Sequence, residues 1–127
     1  MLNAVNLKQK HKIFSKPQQE VEHRTAHHSE VSILNVFETR KASFEFDLVF
    51  HNPVVVSMIQ GKKVMHLGDR DPFEFVPGET IAMPSAESMT IDFPEANQDH
   101  PTQCMALEIS PDLISDVAQW MNEQYVR

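Results

Sequence analysis

A single cysteine, Cys104, stands in a chain of 127 residues, so no internal disulfide can form and no thiolate cage can hold a metal. Cysteine usage of this kind suits a reducing compartment, and the cytosol is the expected location. No apolar stretch reaches the roughly eighteen residues needed to cross a bilayer, and residues 1–14 have no run long enough for a signal-peptide core. Neither a membrane span nor secretion is expected. Positive charge is also in short supply. Eighteen acidic against eleven basic side chains leave a net charge of −7, the wrong sign for gripping phosphates through the overall field. What remains is ordinary globular material, 41% hydrophobic and 23% charged, in a length suited to one domain. Disordered, fibrous and two-domain chains are excluded.

The charge is unevenly placed. Residues 1–24 hold Lys8, Lys10, Lys12, Lys16 and Arg24 against Glu20 and Glu22, a net +3, so the rest of the chain carries −10. This marks a basic N-terminal arm on an acidic body. Such an arm can fold back, reach a partner or stay solvated.

From Val31 onward, strand patterns alternate with turn signals. Phe44, Phe46, Leu48 and Phe50 fall at period two with Glu45 and Asp47 between them, the pattern of a half-buried strand. Val54–Gln60 is β-branched and bounded by Pro53 and Gly61, and Gly61-Lys62-Lys63 turns it into Val64–Leu67. Further strands are expected at 73–76, 80–83, 88–93 and 103–109, with turns at 68–72 and 77–78. About eight short strands imply a mainly β sandwich or small barrel. Helical grammar is confined to the C-terminus. Ser110 can cap, Pro111 suits the first position, and Leu113, Ile114, Val117, Trp120 and Met121 recur at three-to-four spacing, predicting an amphipathic helix over 111–125. Its stripe can lie on the barrel or pair with a partner helix.

Asn52-Pro-Val-Val-Val, Ile59-Gln-Gly-Lys-Lys-Val64, Leu67-Gly-Asp69, Phe75-Val-Pro-Gly78-Glu-Thr and Met83-Pro-Ser85 occur in that order. Over residues 25–110 the set resembles the cupin-type N-terminal domain of AraC-like transcription regulators. The resemblance implies a cupin-like small β-barrel, a double-stranded β-helix, that senses an effector or dimerises. It divides the chain into an arm (1–24), a barrel (25–110) and a C-terminal segment (111–127) leading toward helix-turn-helix units that lie outside the sequence. DNA would be contacted only through those units. A homodimer is expected through the helix, with Leu113, Val117, Trp120 and Met121 at the seam.

Cupins are often metalloenzymes, and the general cupin pattern places its ligands at definite positions. With Gly61 ending the first motif, the glutamate falls at Val54 and the two histidines at Leu48 and Phe50, or at Asp47 and Val49. With Gly78 opening the second, the proline falls on Pro84, but the next glycine falls at Ala86, the histidine at Met89 and the asparagine at Phe93. Scaffold positions match and donor positions do not, so no metal and no other cofactor is expected. The adjacent His27 and His28, just ahead of a strand starting at Val31, would point to opposite sides and chelate poorly. His51 should face outward, His66 can take either face, and Cys104 reads as a buried inert thiol. No phosphate loop, Ser-His-Asp set or carboxylate pair can be assembled, so catalysis is not expected.

The cupin register places Phe44, Phe46, Leu48, Phe50, Val54, Val56, Met58, Ile81, Met83, Met89, Ile91 and, as further candidates, Met105 and Leu107 inside the barrel. Eight strands enclose either a solid core or one small ligand. For the second case the candidate lining is Phe50, Val56, Met58, Met83 and Met89, with Arg40, Gln60 and His66 as polar contributors. The ligand would be a small, largely apolar effector. A stand-alone metal-free cupin enzyme, or a small-molecule-binding protein, is the alternative reading.

Overall fold

A computed structural model describes residues 22–84 and 87–125. Most of the basic arm, together with Ser85 and Ala86, lies outside the described residues. Nine strands run in the order β1 (Glu22–His28), β2 (Ser32–Thr39), β3 (Ser43–Phe50), β4 (Val54–Gln60), β5 (Lys63–Leu67), β6 (Phe73–Phe75), β7 (Thr80–Met83), β8 (Glu87–Phe93) and β9 (Thr102–Ile109), followed by helix α1 (Pro111–Tyr125). One sheet has five strands in the order β1-β2-β9-β4-β7 and the other has four in the order β3-β8-β5-β6. Every pairing is antiparallel.

Alternation fixes which residues turn inward. In β4, Val54, Val56 and Met58 are buried, and in β8 Met89, Ile91 and Phe93 are buried, so each strand gives one face to the space between the sheets. That face carries most of the hydrophobic stabilisation, about 1.5–3 kcal/mol for each large side chain fully buried. Phe37 and Phe50 meet edge to face with ring centroids 6.2 Å apart, and Phe46 and Phe93 do so at 5.8 Å. Gly61, with φ +82°, makes the sharp turn from β4 to β5; a Cβ there would stand 2.8 Å from Thr102 Oγ1.

Several expectations are corrected. A strand precedes Val31: β1 takes in His27 and His28, both exposed, and it brings Glu22 and Arg24 out of the arm and into the five-stranded sheet. Phe44 points outward and is 65% exposed, because a bulge between Ser43 and Phe46, with Glu45 at φ +56°, breaks the alternation. In β9 the buried residues are Thr102, Cys104, Ala106 and Glu108; Met105 is exposed and Leu107 half-buried, one residue out of the expected register. Ile81 is only partly buried, packed against the core.

Candidate functional site

Among the described residues the barrel interior leaves little space. Phe37, Leu48, Phe50, Val56, Lys63, Met65, Met89, Ile91, Cys104 and Ala106 surround a cavity of about 10 Å³, at the lower limit for a single water molecule. Of the residues expected to line a ligand pocket, Phe50, Val56 and Met89 lie on this cavity. Met58 and Met83 are buried elsewhere in the core. His66 faces out of the barrel, with Nε2 3.0 Å from Asp92 Oδ2. Arg40 pairs with Glu38 and donates to the Gln98 carbonyl at 3.1 Å, and Gln60 Nε2 donates to the Pro101 carbonyl at 2.7 Å. These last three residues are tied to other partners and do not converge on the cavity. The Glu45 amide and then His66 hold the Asp92 carboxyl below its ordinary pKa.

Two polar clusters inside the barrel escaped the sequence reading. In the first, Lys63 Nζ donates to Cys104 Sγ at 3.0 Å and stands 5.4 Å from the centroid of the Phe93 ring. Glu22, 1% exposed, accepts from Thr39 Oγ1 at 3.3 Å, and its Oε1 has no hydrogen-bond partner. Burial pushes both the Glu22 carboxyl and the Cys104 thiol above their ordinary values, with Lys63 opposing in each case. In the second cluster, Glu108 Oε2 accepts from Asn35 Nδ2 at 3.0 Å and Glu108 Oε1 from Asn52 Nδ2 at 3.3 Å. Arg24 Nε donates to Asn35 Oδ1 at 2.7 Å. Burial draws the Arg24 guanidinium down and the Glu108 charge holds it up. Lys63 could have been found by counting back in twos from Leu67 through Met65. Its place beside Gly61 and Lys62 made it look like a turn residue.

The cupin metal positions take inward side chains that cannot ligate. Leu48, Phe50 and Val54 are all buried in the apolar core, and so is Met89. Among the described residues no three His, Cys, Asp or Glu side chains gather in a metal-holding group. No helix among them is long and apolar enough to cross a membrane.

Helix α1 follows β9 directly. Ser110, fully buried, accepts the Leu113 amide on its Oγ at 3.2 Å, and its carbonyl accepts the Ile114 amide at 3.1 Å, so cap and first turn are anchored in the barrel. Beyond that anchor the apolar stripe is open. Ile114, Val117, Trp120 and Met121 are 41%, 47%, 53% and 49% exposed, while Leu113 is half-buried.

Solved structures share this architecture. A cupin-superfamily protein from Desulfitobacterium hafniense superposes with a TM-score of 0.57 at 12% identity, covering 70% of this chain and 77% of that one. An RmlC-like cupin with a double-stranded β-helix from Methanocaldococcus jannaschii gives 0.56 at 15% identity, over 80% and 92%. A cupin domain from Schizosaccharomyces pombe gives 0.60 at 12%, over 75% and 65%. At these identities the likeness establishes the cupin fold and nothing finer. No curated protein matches the sequence. The family model for the N-terminus of AraC-type transcriptional regulators matches residues 30–126, running from the turn before β2 through α1, and the barrel with its capped terminal helix is a member of that family.

Proposed function

We propose that this chain is the regulatory half of an AraC-type transcription regulator and that its principal task is dimerisation through α1. One observation carries the reading: the helix is rigidly capped on the barrel by Ser110 yet presents Ile114, Val117, Trp120 and Met121 at 41–53% exposure. An apolar stripe held out by a fixed anchor suits a two-fold seam, in which the same residues meet on both copies. DNA is then contacted by helix-turn-helix units outside these 127 residues, since the chain's own charge of −7 opposes phosphates.

Effector sensing has a narrower footing. A cavity of about 10 Å³ admits no organic ligand without displacing core side chains, so an effector would act by selecting an opened barrel over the closed one. The chain is read as non-catalytic, because the donor positions of metal-dependent cupins hold Leu48, Phe50 and Val54.

Val117→Glu is the test. Placing a charge in the seam should convert a dimer to a monomer in sedimentation velocity while leaving the urea midpoint of the barrel unchanged, since Val117 is 47% exposed. A dimer that persists, or a wild-type chain that sediments as a monomer at high micromolar concentration, overturns the seam.

A further inference from the structure

A buried amine in contact with a buried thiol has a chemistry that neither group has alone. Lys63 Nζ and Cys104 Sγ lie 3.0 Å apart and join β5 of one sheet to β9 of the other. Both side chains are almost wholly buried, 3% and 1% exposed. Both also line the cavity of about 10 Å³, so a molecule the size of water can stand beside the sulfur, and the larger hydrogen peroxide enters when neighbouring side chains give way. The ammonium donates to sulfur rather than to a carboxylate, an uncommon end for a buried lysine. Glu22 completes the cluster. It is 1% exposed, its Oε1 has no hydrogen-bond partner, and its charge acts on both Lys63 and Cys104.

We propose that Lys63 and Cys104 form a peroxide-dependent covalent cross-link, a sulfenamide that ties β5 to β9. Hydrogen peroxide is the two-electron oxidant. Its O–O bond breaks as the Cys104 sulfur takes one oxygen, giving a sulfenic acid and releasing water. Lys63 gives up one proton, which passes to solvent as the barrel breathes, and the neutral amine attacks the sulfur. An N–S bond forms and the S–O bond breaks; the departing hydroxide takes a second amine proton and leaves as water. Overall, one thiol, one ammonium ion and one peroxide give a sulfenamide, two waters and one released proton. The product replaces a buried charge with a bond between the two sheets.

Burial keeps the thiol protonated, so the first step is slow and the experiment uses excess peroxide. The folded full chain is treated with hydrogen peroxide, then followed by intact mass and peptide mapping, which separates Cys104 from the seven methionines. The expected product joins the Lys63 and Cys104 peptides with a loss of about 2 Da and is released by dithiothreitol. Lys63→Met should lose the link and carry Cys104 onward to the sulfinic acid, a gain of about 32 Da. The wild-type measurement stands alone if that variant fails to fold. A wild-type Cys104 that remains unmodified, gains only about 16 or 32 Da, or links to Lys63 with a net gain of about 14 Da through a bridging oxygen overturns the sulfenamide.

Discussion

The four-stranded sheet turns Phe46, Leu48, Phe50, Met65, Leu67, Phe75, Met89, Ile91 and Phe93 toward the barrel centre, with Lys63 as the polar group among them. The five-stranded sheet turns in Ile33, Phe37, Val54, Val56, Met58, Met83, Cys104 and Ala106, but places beside them Glu22, Asn35, Thr39, Thr102 and Glu108, these five each 2% exposed or less. One inner face therefore supplies almost purely apolar burial. The other supplies hydrogen-bond partners that are satisfied in only one register. Sliding β2 against β9 by one residue would put Asn35 and Glu108 on opposite faces of the sheet and break the contacts that join them to each other and to Arg24, so the polar rows penalise misregistration that the apolar residues on both faces of β2 would tolerate.

The largest break in this comparison should come on the apolar side. Phe93 is fully buried, stacks edge to face on Phe46 and lies under the Lys63 ammonium. Phe93→Ala should cost about 3–5 kcal/mol in urea unfolding, from lost transfer energy plus an unfilled cavity. A cost below about 2 kcal/mol would mean the sheet collapses onto the space and is less tightly packed than described.

Next comes the polar side. Glu108→Ala leaves the Asn35 and Asn52 amides with an acceptor missing and Arg24 without its neighbouring negative charge. The expected loss is about 2–3 kcal/mol, with each stranded buried donor contributing about 1 kcal/mol or more. Glu108→Gln keeps one carbonyl acceptor and should recover part of the loss. Equal losses for the two variants would show that the negative charge, and not the hydrogen-bond geometry, is what the site uses.

Glu22 sharpens the contrast through pH. Burial, the dominant effect, raises its folded pKa despite Lys63 and Thr39. The native state then binds the proton more tightly than the unfolded chain does. Its contribution is fully present below the ordinary carboxylate range and is lost as pH rises through the raised folded value. Glu22→Gln removes that penalty while keeping an acceptor for Thr39. The variant should be more stable than wild type at pH 7 to 8, with the advantage shrinking toward pH 4, in urea titrations across that range. Parallel stability curves for the two proteins would refute the sign.

Much of this contrast was legible in the sequence where one strand face is uniformly apolar. Leu48 and Phe50 in β3, Val54, Val56 and Met58 in β4 and the whole of α1 follow simple periods, and the structure places them accordingly. Legibility failed where buried residues are polar or where both faces are apolar. Glu22, Lys63 and Glu108 look like surface residues until the partners that satisfy them are known, and Thr39 and Asn35 are brought to them by strand pairing and Asn52 by the bend between β3 and β4. In β9, Met105 and Leu107 are more hydrophobic than the buried Cys104 and Ala106. There the outer face of the five-stranded sheet, with Leu34, Val36 and Val55 next to them, mimics a core. The packed interior was equally invisible, because a list of inward residues does not report the volume they leave.

The smallest predicted effect falls on the outer side of the four-stranded sheet, where Glu45 separates the misread Phe44 from the correctly read Phe46. Glu45 holds φ +56°, a conformation that costs a side chain with a Cβ about 1 kcal/mol and costs glycine almost nothing. Its amide donates to Asp92 Oδ1 at 2.8 Å, which fixes the bulge against β8 through the backbone and needs no Glu45 side chain. Glu45→Gly should therefore leave the bulge in place and stabilise the barrel by about 0.5–1 kcal/mol, reduced somewhat by the greater freedom of glycine in the unfolded chain. Glu45→Val should cost at least as much, since branching at Cβ makes positive φ harder to adopt. If Glu45→Gly instead destabilises and Glu45→Val is neutral, the strand is regular at this point, Phe44 belongs inside the barrel, and the apolar face extends one residue pair further than the structure places it.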